Sequence, residues 1–181
     1  MSQIINQMSP SSSQQLVARQ TTRPAENQRC LGFTIGDSLH ALIPLVDLQA
    51  TIKISLAEVL SVPQMNESLL GIVNYGGKAT WVLDLAHLMG GSAYVRKPEV
   101  TTGMGMLFQV QNETVALLID RVGTIETYDL QQCLPLGESM FTARIRSFLS
   151  GYLIDTEQQS RVVIDLRQIV NSLIGSSPAI V

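Results

Sequence analysis

Along residues 31–46, "LGFTIGDSLHALIPLV", apolar and polar positions alternate: Phe33 and Ile35 flank Thr34, Gly36-Asp37-Ser38 interrupts, and Leu39, Ala41 and Ile43 resume the pattern. A period of two marks strands with one buried face, and the glycine-polar break marks a turn, so the stretch predicts a β-hairpin. The same design returns 75 residues later (33 to 108) in "FQVQNETVALLIDRV". A second pair follows in the same order. "GIVNYGGKATWVLDLAHLMG" from Gly71 is similar to "GYLIDTEQQSRVVIDLRQIVN" from Gly151, with Asp84 matching Asp165 at a spacing of 81 (84 to 165). Two matches in one order predict two copies of a small β-unit, each closing with a short helix after its Asp-Leu step. The first copy covers about 30–90 and the second about 104–175. Between them, "GGSAYVRKPEVTTG" (90–103) breaks the apolar pattern with glycines, Pro98 and charges, and reads as a linker. Strands this short and regular predict an all-β chain with a few short helices, arranged as small barrels that leave few exposed edges.

The first 29 residues differ in kind. Six Gln, five Ser, two Asn, two Thr and two Pro make up much of them, and no aromatic occurs. Such a stretch buries too little apolar surface to offset the entropy of ordering, so residues 1–29 are expected to be a disordered tail. Residues 176–181 are expected to form a short C-terminal tail. The remainder, with 45% hydrophobic and 15% charged residues over the 181-residue chain, suits an ordinary globular domain. No apolar run approaches the roughly 20 residues that span a bilayer, and no secretory signal is evident, so direct membrane insertion is not expected and a cytoplasmic location is.

The chemistry is mostly excluded rather than found. Cys30 and Cys133 match no ligand spacing and read as free thiols, and His40 and His87 lie in separate segments, so no metal site and no cofactor are expected. A net charge of -3, with one Trp, four Tyr and four Phe scattered along the chain, lacks the basic, aromatic surface of a nucleic-acid binder. "GIVNYGGKATWVLDL" (71–85) has the look of a phosphate loop, but Ile72 stands where the first Walker glycine belongs and Ala79 where the magnesium-binding hydroxyl belongs. Strand-forming residues flank the glycines on both sides, so the stretch predicts strand, glycine turn, strand. Asp84 and Asp165 each end an apolar strand before a helical pattern; helix capping is favoured over an acidic catalytic cluster. No nucleophile with a base and no paired carboxylates emerge, so the chain is expected not to be an enzyme.

With "SVPQMNESLLGIVNYGGKATWVLDL" and "VALLIDRVGTI" placed between the two hairpins, the chain resembles the CheW-type chemotaxis coupling proteins over nearly all of residues 30–175. Pro63, Gly71, Asn74, Gly77 and Val82 to Leu85 fall where that family has its proline segment, its glycine, its Asn-x-Arg-Gly turn and its Asp-Leu ending. Asp120 and Val122 fall in its Val-Asp-x-Val stretch. The resemblance implies two five-stranded, OB/SH3-like barrels sharing a core, in a non-enzymatic adaptor. Its implied partners are the regulatory domain of a CheA-type histidine kinase and the cytoplasmic tip of a chemoreceptor, in membrane-associated arrays serving chemotaxis or pilus-based motility. The residues it offers to partners are Gln49, Asn74, Gly76, Gly77, Lys78, Asp120, Arg121 and Val122. Three positions depart from the family: Gly76 replaces the turn arginine, Gln49 an acidic residue, and Trp81 a proline. The alternative from another class is a small barrel that binds a ligand or nucleic acid.

Overall fold

A computed structural model describes residues 27–36, 38–92 and 101–174 of the chain, with the side chain of Asp47 excepted. Most of the expected N-terminal tail, all of 176–181 and the middle of the linker lie outside the described residues; the first strand begins at Asn27, inside the range expected for the tail. The strands are β1 (Asn27–Ile35), β2 (Leu39–Pro44), β3 (Leu48–Ser55), β4 (Leu69–Tyr75), β5 (Lys78–Asp84), β6 (Thr102–Val110), β7 (Glu113–Ile119), β8 (Arg121–Asp129), β9 (Leu149–Ile154) and β10 (Ser160–Ile164). The helices are α1 (Leu85–Leu88), α2 (Ala143–Arg146) and α3 (Leu166–Leu173).

The ten strands form two five-stranded sheets, ordered β8-β1-β2-β10-β9 (sheet I) and β3-β6-β7-β5-β4 (sheet II). The expected barrels at about 30–90 and 104–175 follow the repeats along the chain, but neither sheet is built from a single repeat. β1 and β2 of the first repeat are completed by β8, β9 and β10 of the second, while β6 and β7 are completed by β3, β4 and β5. The chain changes sheet at the 3₁₀ turn Leu45–Asp47, and again at Asp120 between β7 and β8. Two parallel pairings join the repeats, β2 with β10 (Leu42 opposite Val163) and β5 with β7 (Val82 opposite Ala116).

The ladders leave both sheets open, and a single bridge ties the two edges of each. Leu60, downstream of β3, exchanges hydrogen bonds of 2.8 and 2.9 Å with Ile72 of β4; Leu134, downstream of β8, does the same with Tyr152 of β9. The residue before each bridge partner is a glycine for a steric reason. A Cβ on Gly71 (φ 142°) would lie 2.0 Å from the Leu60 carbonyl oxygen, and one on Gly151 (φ 150°) would lie 2.4 Å from that of Leu134.

Strand alternation divides the apolar residues into three cores. Leu31, Phe33, Ile35, Met106, Phe108 and Val110 point into a core shared by the two sheets, which α3 covers with Leu166, Ile169, Val170 and Leu173. The opposite faces enclose two smaller cores, one of Cys30, Leu42, Leu153 and Val163 in sheet I, the other of Ile54, Val73, Val82, Leu107, Ala116 and Leu118 in sheet II. Central strands are therefore buried on both faces, which is why β7 reads as the continuous apolar run "VALLI". At roughly 2 kcal/mol for each large buried aliphatic side chain, the shared core dominates the stabilisation of the fold.

Candidate functional site

The β4–β5 connection is a two-residue turn. Tyr75 pairs with Lys78, leaving Gly76 (φ 59°) and Gly77 (φ 81°) as the loop. Positive φ at both positions is the type I′ hairpin, whose twist matches the flanking strands. Asn74 reinforces it by accepting the Gly77 amide hydrogen on Oδ1 at 3.0 Å. Asn74 through Lys78 are exposed, and a Cβ on Gly76 would meet nothing within 4 Å. No phosphate cradle is formed, since the glycines link two strands instead of opening a helix.

Asp120 stands where the chain passes from sheet II to sheet I. Its Oδ2 accepts the Gly36 amide hydrogen at 3.0 Å, fastening the β7–β8 corner to the β1–β2 turn. Arg121 and Val122 then open β8 opposite Thr34 and Phe33. β8 is the outer strand of sheet I, with residues 121–127 exposed; Val122 and Ile125 keep 40% and 50% of their surface in water. Gln49 belongs to neither group. It is the bulged residue of β3, where the ladder to β6 slips between Leu48 and Ala50, and it is exposed. The eight positions thus occupy three places: Gln49 on one edge of sheet II, residues 74–78 at the tip of the other, and residues 120–122 on an edge of sheet I.

Asp84 and Asp165 are N-caps. Asp84 Oδ1 accepts the His87 amide hydrogen and Asp165 Oδ1 that of Gln168, each at 3.0 Å, satisfying donors that a helix start leaves unpaired. Trp81, at the family's proline position, donates from Nε1 to Glu113 Oε2 at 3.0 Å, joining β5 to β7.

A polar cluster on sheet I escaped the reading of the sequence. Along β8, Glu126 accepts from Thr124 Oγ1 at 2.5 Å and from Tyr128 Oη at 2.9 Å. These two hydroxyls hold its carboxyl below the usual range. Burial, and then its bond to Glu126, pushes the Tyr128 phenol up to about 12. On β10, Arg161 Nε donates to Asp155 Oδ2 at 2.6 Å. The Gln159 amide, followed by that guanidinium, holds the Asp155 carboxyl below its ordinary value. Gly32 makes room for Arg161, whose Nη1 would lie 3.3 Å from a Cβ there. The signal was present in the sequence as Thr-x-Glu-x-Tyr at a spacing of two, which places all three on one strand face. The two thiols differ little from the expectation of free cysteines: Cys30 is buried, Cys133 half-buried, and burial pushes both pKa values up, away from reactivity.

Among the described residues, no group of three or more His, Cys, Asp and Glu is placed to hold a metal, and no helix is long and apolar enough to cross a membrane. The family model of the CheW-like domain matches residues 29–173. The fold is also that of the crystal structure of the scaffolding protein TtCheW from Thermoanaerobacter tengcongensis, with a TM-score of 0.67 and 16% identity over 84% of this chain and 97% of that one. No curated protein matches the chain.

Proposed function

We propose that this chain, which belongs to the CheW-like domain family, is a non-enzymatic chemotaxis scaffold that couples a chemoreceptor to the regulatory domain of a CheA-type histidine kinase. The observation that carries this reading is the match over residues 29–173, which takes in every strand but the first two residues of β1. The geometry supports a scaffold. Each sheet ends in an outer strand, β8 or β3, with one ladder partner, and such edges are surfaces on which another β-protein can pair. In this reading the β8 edge with Arg121 and Val122, the β4–β5 tip and the bulged Gln49 are docking points, and the protein works in the cytoplasm at receptor arrays of chemotaxis or pilus-motility systems.

The test is calorimetric titration of the chain with a CheA-type regulatory domain and with a receptor cytoplasmic tip, followed by co-sedimentation of all three. Saturable binding of both, and a ternary complex, are expected; binding of neither would sink the proposal. Gly76→Arg sharpens the test. The site has room for the side chain, and an L-residue at φ 59° costs only about 1–2 kcal/mol. Restoring the family's guanidinium should tighten partner binding by about 1–2 kcal/mol through charge-assisted hydrogen bonds.

A further inference from the structure

A cleft of about 360 Å³ lies where the two repeats meet, lined by residues 66–68, by His87, Leu88 and Gly90 of α1 and its end, and by Thr142, Arg144 and Ile145 at α2. Its size falls within the roughly 300–1,000 Å³ of small-molecule sites. We propose that this cleft binds a small organic carboxylate, held by Arg144, His87 and Asn66 with its carbon skeleton against Leu88 and Ile145.

The fold holds Asn66 and His87 in place. Ser68 O accepts the Asp84 amide hydrogen at 2.8 Å, Asn66 Oδ1 accepts that of Ser68 at 3.0 Å, and Asp84 Oδ1 accepts that of His87. Ser68 is only 3% exposed, and its Oγ lies 3.3 Å from His87 Nδ1. A hydrogen bond between the two holds the imidazole ring in place whichever of them donates. Where the hydroxyl donates to Nδ1, the neutral ring carries its hydrogen on Nε2, which is then the donor a carboxylate can meet. Glu67 Oε2 lies 3.9 Å from Nε2, on a side chain 77% exposed. In the proposed complex the ligand carboxylate stands beside Nε2 in place of Glu67. Arg144 supplies an exposed guanidinium that no described carboxylate engages, a planar fork suited to a carboxylate. A lone inorganic anion would leave most of the cleft and its apolar wall unused. A ligand here contacts both repeats, so its binding should stabilise the whole fold.

The full chain is to be titrated calorimetrically, and melted, with succinate, glutarate and hexanoate; the matching amides, sulfate at equal ionic strength and an acidic peptide serve as comparisons. Saturable binding of at least one acid with a raised Tm is expected, weakened about tenfold or more by Arg144→Gln, whose unfolding curve without ligand should match the wild type. His87→Gln should weaken it similarly. Equal effects of amides or sulfate, binding by the peptide alone, no binding of any acid, or undiminished affinity in Arg144→Gln would each overturn the proposal.

Discussion

Sheet II places Ala50, Ile52 and Ile54 on the inner face of β3, while sheet I places Thr124, Glu126 and Tyr128 on the corresponding face of β8. The substitution extends to neighbouring strands. Leu107 of β6 fills the space that Gly32 of β1 leaves for Arg161, and the matching position to Arg161 on β5 is the fully buried Thr80. The same arrangement of strands thus supports apolar packing on the outer strand of sheet II and a hydrogen-bonded polar cluster on that of sheet I. The backbone frame is indifferent to this choice because both small cores face away from the shared core. That shared core, filled alike by Phe33 and Phe108 and by Leu31 and Met106, is what the two copies must hold in common.

The largest effects should come from the frame. Gly71→Ala and Gly151→Ala each drive a Cβ into a bridging carbonyl, and each should cost about 3 kcal/mol or more in urea unfolding. Gly71→Ala should be worse, since its contact is 2.0 Å against backbone; at Gly151 the contacts are 2.4 Å to backbone and 2.6 Å to the Cys133 sulfur, which can shift. Tolerance of either would show that the edge-tying bridge is dispensable at that sheet.

The two small cores should then separate. Leu107→Ala empties part of the apolar core of sheet II and should cost about 3 kcal/mol. In sheet I, Arg161→Met combined with Asp155→Asn removes an ion pair while retaining apolar volume, and should cost about 1 kcal/mol or less. Equal losses in denaturant melts would mean that the polar cluster stabilises sheet I as much as packing stabilises sheet II.

The caps offer a smaller contrast. Asp84 is fully buried and Asp165 partly exposed, so Asp84→Ala should cost about 2 kcal/mol and Asp165→Ala about 1 kcal/mol, with Asn recovering most of each loss. If Asn restored neither stability, the carboxylates would have a role beyond accepting one amide.

The smallest effect is confined to alkaline pH. The Tyr128 phenol is raised above the ordinary value of about 10, so its contribution to stability is complete below pH 10 and disappears as pH rises towards about 12. Absorbance titration, read as the difference from Tyr128→Phe, should show that midpoint. Glu126→Gln should move it down only in part, because burial is the larger cause. An unmoved midpoint would separate the two residues electrostatically.

Much of this molecule was legible because its causes are local. Alternation in "LGFTIGDSLHALIPLV" marks its strands, paired glycines after Asn74 mark a type I′ turn, and an Asp before a helical pattern marks a cap; each depends on residues within a few positions. The polar ladder of β8 was written in the same code, yet a strand face discloses nothing about Arg161 and Asp155, which approach from β10 and the turn before it. The separation of Gln49, the glycine turn and Asp120 into three places was likewise out of reach, since it depends on which strands become edges.

The sequence by itself determined the two repeated sets of strands, their buried faces, their turns and the family to which they belong. The tertiary structure decided how the sets combine. Because both repeats carry the same alternation, β1 and β2 could satisfy their apolar faces with the remaining strands of either copy, and no local pattern distinguishes the two. Long-range packing makes the choice: the parallel pairings of β2 with β10 and β5 with β7 stitch each repeat into the other's sheet and enclose one shared core between them.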